Sequence, residues 1–119
     1  MQIQVNTDHN VKGGDLLIKY VEGLLNDSLN SFKDEVTRIE VHVSDENSHK
    51  GGDDDLRCTI EARIRGLQPI AVTHNDENVD LAINGAADRI ARSVRKTLEK
   101  RRDVKPLHVG LNTDEEQLG

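Results

Sequence analysis

Apolar residues recur along this chain with two spacings, and each spacing marks a different kind of element. Gln2–Asn6 alternates, with Ile3 and Val5 on one side and polar neighbours on the other. That pattern predicts a half-buried strand. Gly13-Gly14 then interrupts the chain, and Asp15 is placed to cap a helix by accepting a backbone N–H bond. Leu17, Ile18, Val21, Leu24, Leu25, Leu29 and Phe32 follow at three- and four-residue steps. They predict an amphipathic helix of roughly five turns. Gly23 lies inside it, where glycine costs about 1 kcal/mol against alanine, and so marks a point of expected close packing.

Strict alternation returns at Thr37–Ser44, with Ile39, Val41 and Val43 opposite Arg38, Glu40 and His42. It returns again at Leu56–Arg65, with Cys58, Ile60, Ala62 and Ile64 inward and Arg57, Thr59, Glu61, Arg63 and Arg65 outward. Residues 45–55, DENSHKGGDDD, are too polar to pack and predict a long acidic loop between antiparallel strands. Gly66 to Pro69 turns the chain into a short strand, Ile70–His74. Asn75 or Asp76 then opens a second helix, whose buried stripe is Val79, Ala82, Ile83, Ala86, Ala87, Ile90, Val94 and Leu98. The small residues in that stripe predict a helix lying close on the sheet. From Val104 the periodicity stops, and Pro106, Gly110, Asp114, Glu115 and Glu116 predict a disordered acidic tail.

The order β-α-β-β-β-α predicts an α+β domain over residues 1–103, followed by the tail 104–119. Both helices must bury their stripes on one face of a four-stranded sheet, which leaves a two-layer fold with the other face open.

Composition narrows the function. The 119 residues suffice for one domain. One tyrosine, one phenylalanine and no tryptophan argue against a base-stacking platform. A single cysteine excludes an internal disulfide and a cysteine-rich zinc module. The start has no cationic stretch followed by an apolar run, and no apolar segment is long enough to span a membrane. A reduced, cytoplasmic protein without a membrane partner is therefore expected.

The net charge of −6 is unevenly spread: residues 81–105 carry +5 and the remaining 94 carry −11. A local basic face can bind phosphates even when the whole protein is acidic.

Catalytic chemistry finds little support. There is no glycine-rich phosphate loop and no nucleophile–base–orienter set. Cys58 falls on an inward strand face, where a thiol is structural. His74 also points inward, as a core or edge histidine. His42, His49 and Asp53 to Asp55 lack the ligand spacing of a metal loop and read as a solvated acidic tip. No enzyme activity, cofactor, metal or small-molecule substrate is expected.

The second helix is the informative element. Arg89, Arg92, Lys96 and Lys100 step by three, four and four residues, which keeps them in one stripe opposite Ile83, Ile90, Val94 and Leu98. At 1.5 Å per residue the stripe is roughly 16 Å long, a length that spans several phosphates of a folded RNA. Such contacts position a protein without reading sequence, and they suit shape recognition of structured RNA. Arg95, Arg101 and Arg102 extend the candidate RNA-binding set.

From Met1 to about Arg102 the chain resembles the ribosome hibernation promoting factor and ribosome-associated inhibitor family. The likeness rests on MQIQVN, NSFKDEVTRIEVHV, PIAVTHNDENVDLAIN and DRIARSVRKTLEKRR. It implies a β-α-β-β-β-α fold akin to double-stranded RNA-binding domains. It also implies a partner, the small ribosomal subunit and its rRNA at the decoding region, and a role in silencing translation under stress. The family's basic positions on the second helix correspond here to Arg89, Arg92, Lys96 and Lys100. Asp80 stands where the family typically has an aromatic residue. A second reading is a stress module that forms a homodimer or binds a partner protein through its open sheet face, without the ribosome.

Overall fold

The computed structural model describes residues 1–9, 11–46 and 56–103, with the backbone alone for Arg102 and Asp103. The expected acidic loop (its residues 47–55), the expected tail 104–119 and the side chain of Arg102 lie outside the described residues.

The alternating segments form four strands: β1 (Gln2–Thr7), β2 (Val36–Asp45), β3 (Leu56–Ile64) and β4 (Ile70–Asp76). They line up in the order β1-β2-β3-β4. β1 runs parallel to β2, and the other two ladders are antiparallel. The parallel pair follows from the helical crossover between β1 and β2, since only a long connection returns a strand in the same direction. Helices α1 (Asp15–Ser28) and α2 (Val79–Asp103) contribute the second layer.

The core lies between sheet and helices. Ile39, Val41 and Val43 of β2, with Cys58, Ile60, Ala62 and Ile64 of β3, are buried against Ala82, Ile83, Ala86, Ala87, Ile90, Val94 and Leu98 of α2. The two-layer α+β arrangement is the expected one. A one-residue register shift between Val36 and Arg38 adds a detail. Val36 and Ile39 are an odd number of positions apart, so a regular strand would send them to opposite faces. The irregularity at Thr37, whose Oγ1 donates to the Arg63 carbonyl at 3.2 Å, brings both inward.

Four local expectations are corrected. The first helix does not run unbroken to Phe32. It ends at Ser28, and Asn30–Phe32 forms a separate 3-10 turn that still buries Leu29 and Phe32. Gly14, at φ 108°, occupies the cap position, and Asp15 stands in the first turn. Its carboxylate still favours the positive end of the helix. Gly23 is exposed, and nothing lies within 4 Å of where its Cβ would be, so it marks no close packing.

The second helix starts later than Asn75 or Asp76. β4 continues to Asp76, and Asn78 caps α2 by accepting the Leu81 amide at 2.9 Å on its side chain. The turn between β3 and β4 uses Gly66 at φ 77°, a conformation that disfavours a Cβ.

The close approach of helix and sheet is visible at Gly85. Its face is occupied by the imidazole of His74, which lies where a side chain would otherwise project. His74 Nε2 is 3.0 Å from Asp76 Oδ2, and both side chains are half-buried at the sheet edge.

Candidate nucleic-acid interface

Burial of the apolar stripe of α2 decides where its cations go. Ile83, Ile90, Val94 and Leu98 are buried, and Arg89, Arg92, Arg95, Lys96 and Lys100 are exposed. At about 100° per residue, Arg92 and Lys96 fall nearly opposite the buried stripe, with Arg89 and Lys100 beside them. These four make the continuous line expected from the sequence.

The remaining predicted residues separate. Arg95 is exposed on a flank that it shares, by helical position, with Asp88 and Glu99. Arg101 turns back toward the sheet, where one guanidinium N–H donates to the Arg65 carbonyl at 3.0 Å. It thereby clamps the end of α2 to the β3–β4 turn. Leu67, Thr97, Lys100 and Arg101 together line a shallow hollow of about 360 Å³, so the stem of Lys100 runs along apolar surface while its ammonium reaches water.

No ion pair among the described residues draws on the four-residue line. The pairs found lie elsewhere: Arg38–Glu40 at 3.0 Å, His42–Glu40 at 3.7 Å, Arg57–Glu46 at 3.3 Å, Arg63–Glu61 at 3.9 Å and His74–Asp76 at 3.0 Å. Most of these occupy the open face of the sheet. There each arginine has a carboxylate beside it, and Arg38 also bonds Gln4 of β1. The open face is thus polar and locally neutral, and no large exposed apolar side chain lies on it. The two faces differ in kind: the sheet neutralises its own cations, and α2 leaves its cations to solvent or a ligand.

The titratable groups follow the same division. The Arg38 guanidinium bonded to Glu40 holds that carboxyl below its usual range. Asp76 is lowered chiefly by the Glu77 amide, which donates to it at 2.8 Å, and then by His74. Burial pushes the Cys58 thiol up to about 12, which makes it a packing residue rather than a nucleophile. His42 has Glu40 as its neighbour, and no group of three or more metal-ligand side chains gathers among the described residues. His49 and Asp53 to Asp55 lie outside them.

Asp80 is exposed in the first turn of α2. A carboxylate there complements the positive end of the helix. It sits at the opposite end of α2 from the cationic line, about 13 Å before Arg89 along the axis.

No helix among the described residues is long and apolar enough to cross a membrane. Residues 3–102 match the family described as "Sigma 54 modulation protein / S30EA ribosomal protein". No curated protein matches the chain in sequence. Among solved structures, the fold is similar to the N-terminal domain of Protein Y from Thermus thermophilus. That match has a TM-score of 0.65 at 24% identity and covers 82% of this chain and 99% of that one. A ribosomal subunit interface protein from Coxiella burnetii is also similar, with a TM-score of 0.68 at 15% identity, covering 83% and 99%. At these identities the two structures bear on the fold alone.

Proposed function

The chain belongs to the sigma 54 modulation protein / S30EA ribosomal protein family, and from that premise we propose that it silences translation by binding the small ribosomal subunit through α2. The observation that carries this reading is the line Arg89, Arg92, Lys96 and Lys100, exposed and without carboxylate partners among the described residues. Four cations in about 16 Å are spaced to meet successive phosphates of folded rRNA. With one tyrosine and one phenylalanine, the chain relies on phosphate contact rather than base stacking.

The inhibition is steric. A rigid domain held in the decoding region occupies space that tRNA and mRNA need, and no bond is made or broken. Arg101 is secondary, because its guanidinium is tied to the Arg65 carbonyl, and Arg95 stands at the edge of the line, about 60° around the helix from Arg92. The family description, which names a ribosomal protein, is consistent with a ribosomal partner for this chain.

Charge reversal tests the proposal. Arg92→Glu with Lys96→Glu changes two exposed positions and leaves the buried stripe intact. Binding to purified small subunits should fall below detection, with an unchanged circular dichroism spectrum. Retained binding by the folded variant would exclude the stripe as the contact.

A further inference from the structure

The fold leaves three large apolar side chains exposed among the described residues: Leu16 at 87%, Leu81 at 42% and Tyr20 at 41%. All three gather at the N-terminal turns of the two helices. Leu16 and Tyr20 stand four residues apart on α1 and line a groove of about 630 Å³ whose other wall includes Val79 and Asp80 of α2. Leu81 lies in the same turn of α2 but about 200° around the helix from Val79, outside the groove. The Tyr20 hydroxyl donates to Asn84 Oδ1 at 2.7 Å and ties the two helices together beside the groove. The volume falls within the range of sites that hold side chains or small ligands. Apolar surface gathered at one place and rimmed by charge is a common mark of an interaction site.

The rim selects the partner. Among the described residues, Asp45, Glu77 and Asp80 line the groove with one cation, Lys12. RNA is repelled by this rim. A second copy meeting it groove to groove would set one acidic rim against another. The chain's own residues 104–119 carry Asp114, Glu115 and Glu116 and are also mismatched. The complement of this surface is a cationic segment with apolar anchors.

We propose that the groove between the N-terminal turns of α1 and α2 docks a protein segment bearing apolar side chains among lysines or arginines. α2 is then a two-ended element. Its first turns, with Val79 and Asp80, take a basic protein segment, and its line from Arg89 to Lys100 is left for a polyanion. The ends are far enough apart for both to be occupied at once. The inference stands on the groove and its rim, and is independent of the ribosomal reading.

The test uses the full, isotope-labelled chain and three short synthetic peptides, read by amide chemical shifts. The first peptide carries two leucines at i and i+4 among lysines. The second has glutamates for the lysines, and the third has serines for the leucines. The first should shift the amides of Leu16, Tyr20, Val79 and Asp80, and the other two should not. Leu16→Ser should weaken it by about tenfold. Leu16 is exposed, and should that variant fail to fold, Glu77→Lys with Asp80→Lys gives a second route to the same loss.

Several results would overturn the inference. They are shifts confined to another surface, equal binding of the glutamate peptide, and no effect of either variant. Displacement of the peptide from these amides by an RNA oligonucleotide would reassign the groove to nucleic acid. Self-association abolished by Leu16→Ser would reassign it to a second copy.

Discussion

Gly23 and Gly85 both lie inside helices, yet replacing each with alanine should move stability in opposite directions. In a helix interior alanine is favoured over glycine by about 1 kcal/mol. Gly23 is exposed with open space where its Cβ would project. Gly23→Ala should therefore stabilise the domain by about 1 kcal/mol, or roughly 4 to 8 °C in Tm for a domain of this size. At Gly85 the new Cβ would fall 2.6 Å from Cγ of His74, and closer still to Cδ2 and Nε2. Cγ is bonded to the His74 Cβ, so rotating the ring about the Cβ–Cγ bond leaves Cγ in place and cannot relieve the clash. The side chain must leave by rotation about χ1, which breaks its 3.0 Å contact with Asp76.

Repacking around an added methyl costs about 1 to 3 kcal/mol, and the His74–Asp76 contact is lost as well. Set against the helix gain of about 1 kcal/mol, Gly85→Ala should destabilise by up to about 2 kcal/mol, a range set by how far the ring can move into solvent. In a His74→Ala background the clash is gone, and the same substitution should stabilise by about 1 kcal/mol. Urea unfolding followed by circular dichroism gives all four corners of this cycle. If Gly85→Ala proves as stabilising as Gly23→Ala, the close approach of α2 to β4 described above is wrong.

Other outcomes follow from the same structure. Cys58, buried with its thiol pushed up to about 12, should resist a thiol-specific disulfide reagent at neutral pH and react only after urea unfolds the chain. Rapid stoichiometric labelling of the folded protein would contradict its inward placement. Asp76 and Glu40 have carboxyls held below their usual range, so what they contribute to stability is complete above about pH 4 and is lost as pH falls through their lower folded values. Asp76→Asn should therefore show a smaller loss of urea stability on acidification than the parent chain, and an equal loss would argue against the Glu77 amide and His74 as its stabilising partners.

Much of the fold is legible in the chain because its strands and second helix obey clean periods. β2, β3 and the stripe of α2 bury the side chains that alternation and helical spacing select. The misses have local causes. Leu29 and Phe32 keep helical spacing across Asn30 and Ser31, so the change to a 3-10 turn leaves no mark on the hydrophobic pattern. The run THNDEN offers several capping residues, and the choice of Asn78 depends on β4 continuing to Asp76. One signal was present: His74 and Asp76, two apart on a strand face, can pair only if the strand continues.

The cationic line was legible because its spacing is that of a helix. The separation of Arg101 from it was also legible, since Arg101 stands three after Leu98 and seven after Val94, on the side of the buried stripe; its partner, the Arg65 carbonyl, was not, because it depends on where the β3–β4 turn ends. The groove was hidden for a related reason. The run Leu16, Leu17 and Ile18 does not disclose that Leu16 is left outside. That outcome depends on where α1 meets α2, a long-range contact made through Tyr20 and Asn84.

The central claim is electrostatic attachment to the small ribosomal subunit through α2, and co-sedimentation of the protein with purified small subunits across a salt series tests it most directly. Four neutralised phosphates predict that the logarithm of the binding constant falls with the logarithm of salt concentration at a slope on the order of −3 to −4. Saturable binding at low salt that fades along that slope is the expected result. No association at low salt, or binding indifferent to salt, would contradict it.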